Sequence, residues 1–64
     1  MGRDPRVEPR AGDVVRRGQR TETVELIGKV YVWSRDDQCF QNARSLGRWE
    51  ELNRNATIIH VAEG

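Results

Sequence analysis

The stretch from Thr21 to Ser34, TETVELIGKVYVWS, restricts the fold more than any other part of the chain. Its first half alternates, with Glu22, Val24 and Leu26 on one face and Thr21, Thr23 and Glu25 on the other. Its second half is β-branched and aromatic, a composition that suits a pleated surface. Gly28-Lys29 between them leaves room only for a tight reversal. Glu22 to Ser34 therefore reads as a β-hairpin, with Val30 and Val32 facing one side and Tyr31 and Trp33 the other.

The remaining elements arrange themselves around this hairpin. In AGDVVRRG the Gly12-Asp13 pair signals a turn, Asp13 to Arg17 a first strand, and Gly18 its end. RDDQ is a polar turn in which Asp36 and Asp37 bond the local backbone, and CFQNA returns as the next strand. The period then changes: Leu46, Trp49 and Leu52 are spaced by three, behind Ser45 as N-cap and with Glu50-Glu51 near the start. This predicts a short helix or 3₁₀ turn over Leu46 to Asn53. NRN ends it, and Ala56 to Val61 forms a last strand. Four strands, a helical turn and a closing strand predict an all-β chain, a small five-stranded SH3-like barrel whose closure removes exposed sheet edges.

A chain of 64 residues has room for one domain, and one of this size buries only about 60% of the surface its unfolded form exposes. The apolar residues fall almost entirely after Asp13, which places the core within residues 11–64. Residues 1–10 read as a flexible basic arm, because Pro5 and Pro9 fix their own φ and push the residues before them toward extended structure. The formal net charge of +1 conceals an asymmetry. Residues 1–20 carry six arginines against three carboxylates, and residues 21–64 five cations against seven. A basic head precedes a slightly acidic body.

The single cysteine excludes an internal disulfide and points to a reducing cytoplasm, with Cys39 as a core or half-buried thiol. A nucleophilic role needs a base and an orienter, and the one histidine, His60, is remote in sequence. The neighbouring carboxylates Asp36-Asp37 and Glu50-Glu51 point in different directions, unlike a facing acid–base pair, and one His with one Cys does not make a zinc set. The reading is a protein without catalytic residues, metal or cofactor. No apolar run approaches the ~18 residues of a membrane helix, so no membrane partner is expected.

GDVVRRG, a hairpin ending in VYVW, and SLGRWEELNRNATII together resemble small proteins encoded by phages and prophages of high-GC bacteria, over residues 11–61. The predominance of arginine among the basic residues, ten of eleven, accords with such a genome. The resemblance implies a small barrel and brings no activity. Gly12, Asp13 and Val15 are also similar to the start of the KOW motif of ribosomal and transcription proteins, which implies RNA contact.

Two candidate surfaces follow. Tyr31 and Trp33 share one face of the hairpin, where they either fill the barrel or form a protein interface, while Phe40 and Trp49 are expected in the core. Arg16, Arg17 and Arg20 cluster at the first loop and, with Arg10 and the other arginines of the arm, either contact phosphates or form a solvated face. The expected function is a non-catalytic module binding a protein partner or a second copy of itself. The alternative is a nucleic-acid-binding accessory protein.

Overall fold

Strands form where alternation and turn chemistry place them. In the computed structural model, which describes residues 3–63, they are β1 (Val14–Arg17), β2 (Arg20–Ile27), β3 (Tyr31–Asp36), β4 (Gln41–Ser45) and, after the helix α1 (Leu46–Leu52), β5 (Thr57–His60). Met1 and Gly2 of the expected arm, and Gly64, lie outside the described residues. Gly18 opens the two-residue β1–β2 turn at φ +63°, the sign that primed hairpin turns require at their first central position. Ser45 caps α1 by accepting the Arg48 amide at 3.2 Å. The first turn of α1 holds no acidic residue, since Glu50 and Glu51 fall in its second half.

The strands form one antiparallel sheet in the order β4-β3-β2-β1-β5. Among the described residues β4 and β5 do not pair, so the sheet is not closed as the sequence led us to expect. Chain between these two edges forms α1 instead, and Trp49 from that helix buries with Val15, Val24, Val32 and Ala56, flanked by Ile27 and Leu46.

Register shifts alter the outcome of simple alternation at two places. In β2, Val24 lies opposite Ser34 and Leu26 opposite Trp33, so Glu25 is an extra residue. The bulge turns Leu26 to the outside, 58% exposed, and brings Ile27 toward the core. In β5, Ile58 lies opposite Val15 and His60 opposite Val14, which leaves Ile59 as the extra residue. Val30 precedes β3 and is also exposed.

Phe40 is not in the core but 65% exposed in the β3–β4 turn, beside an exposed Cys39 at φ 67°. The physical reason is Asp36, whose carboxylate accepts the amides of Gln38 and Phe40 and closes the turn before the chain re-enters the sheet.

The lead-in also differs from a free arm. Asp4 accepts the Glu8 amide at 2.7 Å through its carbonyl and the Arg6 amide at 2.9 Å through its side chain, forming a single turn. Pro5 is at the first position of that turn, where its missing N–H costs nothing. Both Pro5 and Pro9 are buried. Trp49 Nε1 donates to the Pro5 carbonyl at 2.9 Å, and Arg6 donates to the Ala56 carbonyl at 3.3 Å. Arg3, Pro5 and Arg6 are thus each hydrogen-bonded to residues beyond position 10.

Candidate functional site

Alternation in β3 sends Val32, Ser34 and Asp36 inward, where all three are buried, and turns Tyr31, Trp33 and Arg35 outward. The two candidate aromatics thus lie together on the outer face. Their ring centroids are 6.0 Å apart at an interplanar angle of 50°, within the range of favourable tilted aromatic pairs. Tyr31 is 49% exposed, and Trp33 is half-buried.

Neighbouring strands extend this pair into a patch. Trp33 lies opposite Leu26 in β2 and Ala43 in β4, and Tyr31 opposite Ser45. Gly28 lies against the Trp33 ring, and a Cβ there would come within 3.2 Å of Cζ3. Leu26, Tyr31 and the half-buried Trp33 therefore present an apolar surface toward the end of the hairpin, and Val30 is exposed in the turn beside β3. One side of it is bounded by Glu25, which accepts from Arg35 at 2.8 Å and from Gln41 at 3.0 Å. These two hydrogen bonds, the first the stronger influence, hold the Glu25 carboxyl below its usual pKa.

The basic candidates do not converge in the same way. Arg17 pairs with Glu22 and donates to Asn53 Oδ1 at 2.6 Å. Arg20 lies 3.5 Å from the Asp36 carboxylate. Arg10 donates its backbone amide to Asp13 at 2.7 Å and has an exposed side chain. Arg16 is exposed on β1 and, among the described residues, enters no ion pair. The other lead-in cations are also engaged, Arg3 with Asp13 and Arg6 with Asp4.

Two carboxylates lie fully inside. Glu22, on the inner face of β2, accepts from Ser34 Oγ at 2.6 Å, from Arg44 at 2.7 Å and from Arg17. Burial alone would push its pKa up. The donors outweigh that effect, and the carboxyl titrates below its ordinary value. Asp13 behaves likewise: burial raises its pKa, but the Arg3 guanidinium and the amides of Ala62 and Arg10 lower it further. Both groups are ionised at neutral pH with their acceptor oxygens occupied, so they fasten strands and termini together.

Glu22 had a visible signal, since a carboxylate on the same strand face as Val24 needs a cation. Leu26 had none, because only the bulge turns it outward. Cys39 lies in the β3–β4 turn and His60 on β5 at the far edge of the sheet, so the structure does not bring them together. A cleft of about 240 Å³ opens at the end of α1, lined by Arg17, Glu51, Leu52 and Arg54 among others, away from the aromatic pair. Among the described residues no cluster of His, Cys, Asp and Glu suited to a metal ion occurs, and no helix is long and apolar enough to cross a membrane. Comparison with protein-family models, with curated proteins and with solved structures finds no match to this chain.

Proposed function

We propose that this protein is a non-catalytic binding module that holds a protein partner on the outer face of β2, β3 and β4. The observation that carries this reading is the exposure of Leu26 and Tyr31 on either side of the half-buried Trp33, on a sheet whose opposite face is the core. Clustered aromatic and aliphatic side chains on a rigid support are what protein interfaces use as anchors. We infer further that the fold is a partly open SH3-like barrel. This is supported by the strand order, the bulged long β2 and the helix ahead of the closing strand.

The nucleic-acid alternative rests on Arg10, Arg16, Arg17 and Arg20. Of these, Arg17 and Arg20 are already matched by Glu22 and Asp36. An amide NMR titration with a short duplex DNA and a single-stranded RNA, at low and physiological salt, separates the two readings. The protein-partner reading expects no shifts confined to the arginines. Shifts at Arg10, Arg16 and Arg20 that vanish as salt rises support phosphate contact instead.

The direct test is retention on the immobilised chain from a lysate of its native cells. A partner held by the patch stays bound in high salt and is lost with Leu26→Lys or Trp33→Ser. Retention that those substitutions leave unchanged rules out this face.

A further inference from the structure

The two edges of the sheet are unlike. On β5 the extra residue Ile59 interrupts the register, and bulges of this kind protect an edge from foreign strands. β4 has no such protection. It pairs with β3 without a shift from Gln41 opposite Arg35 to Ser45 opposite Tyr31, and contains no proline. Its one charged side chain, Arg44, turns inward to Glu22 at 2.7 Å.

The hydrogen-bond phase of this edge follows from its two ends. Asp36 N–H donates to the Phe40 carbonyl at 3.0 Å, and Leu46 N–H donates to the Val30 carbonyl at 2.8 Å. Hydrogen-bonded pairs alternate along an antiparallel ladder, so Asn42 and Arg44 spend their backbone groups on β3. The amides of Gln41, Ala43 and Ser45 point away from the sheet, at positions symmetric about Ala43.

We propose that β4 pairs antiparallel with the β4 of a second copy, centred on Ala43. This goes beyond the reading of the β2–β3–β4 outer face as a protein-binding surface: it joins two such faces at their β4 edges and leaves them open to a partner. In that register Ala43 meets the partner's Ala43, Gln41 meets the partner's Ser45, and Asn42 meets the partner's Arg44. No like charges oppose one another, and Arg44 is already neutralised by Glu22. The cross-strand row Leu26, Trp33, Ala43 then continues into the same row of the second copy, so that the two apolar patches become one surface. The pairing is isologous and closes as a dimer.

Sedimentation equilibrium of the full chain at physiological salt tests this. The mass rises with concentration from 7.4 kDa toward twice that value. Ala43→Lys and Ala43→Glu each place like charges opposite one another and each stay monomeric with an unchanged far-UV spectrum, while their equimolar mixture recovers the dimer. A parent that stays monomeric at millimolar concentration overturns the proposal, as does a lysine variant that still dimerises or a mixture that stays monomeric. Intermolecular NOEs across Ala43 in a mixed-label sample check the register on the parent itself, and their absence from a dimer overturns it. Salt-resistant capture of a partner that depends on Leu26 and Trp33 but not on Ala43 leaves the binding-module reading in place when self-pairing fails.

Discussion

The indole Nε1 of Trp49 donates to the carbonyl oxygen of Pro5 at 2.9 Å, joining the helix before the last strand to a residue 44 positions earlier. The bond lies inside the core, since Trp49 has no exposed surface. Trp49→Ala removes the largest buried side chain and leaves the Pro5 carbonyl without its donor. A loss of about 3 to 5 kcal/mol is expected, a large share of what a small domain has, and a urea melt reads it directly. Trp49→Phe keeps most of the bulk and gives up the hydrogen bond, so its cost is smaller, about 1 to 3 kcal/mol.

Removal of residues 1–9 destabilises the protein. It takes away the buried Pro5 and Pro9 and leaves Asp13 inside without the Arg3 guanidinium. Stranding a buried charge costs about 3 kcal/mol or more, which in a domain this size lowers the melting temperature by roughly 10 °C or more. A truncated chain that melts with the parent contradicts the packed lead-in.

Glu22→Ala strands Arg17 and Arg44, which both donate to that carboxylate, and opens a void between β2 and β3. The expected cost is about 3 kcal/mol in chemical denaturation. Ser34→Ala removes one of the donors to Glu22 and costs less, about 1 kcal/mol.

Acid weakens the fold in a defined sense. The pKa values of Asp13 and Glu22 are lower folded than unfolded, so their contribution is complete above the ordinary carboxylate range, roughly pH 5 and higher, and is lost as pH falls through the folded values. Denaturation midpoints are expected to be nearly level from about pH 7 to 5 and to fall below about pH 4. Glu22→Gln, destabilised at neutral pH, loses less on acidification than the parent. Equal acid sensitivity in the two proteins assigns the effect to other carboxylates.

The outer patch contributes to binding more than to folding. Leu26 is largely exposed, and Leu26→Lys changes stability by about 0.5 kcal/mol or less. Gly28→Val drives a side chain into the Trp33 ring, which stands 3.2 Å from the position of the first added carbon. The Trp33 indole NMR signal shifts in that variant while the Trp49 signal stays.

What the sequence determined by itself is local. Alternation from Thr21 to Ile27, the β-branched and aromatic run to Ser34, the glycines at the two hairpin turns and Ser45 ahead of Leu46 specify the order of strands and helix, since backbone preferences act over a few residues; the reversal read at Gly28-Lys29 falls one residue later, at Lys29-Val30, where the Gly28 amide donates to the Tyr31 carbonyl. The placement of Trp49 in the core was legible for the same reason, as the central member of a three-residue apolar spacing. The tertiary structure decided the rest through contacts between distant residues. The Glu25 bulge exchanged Leu26 for Ile27 at the core, because strand register is set by the partner strand and not by the bulged strand alone. The aspartate read as a turn residue became a buried anchor because Arg3 and Ala62 meet it from opposite ends of the chain. A carboxylate is tolerated inside only where cations and amides converge on it, and that convergence exists only once the chain has folded.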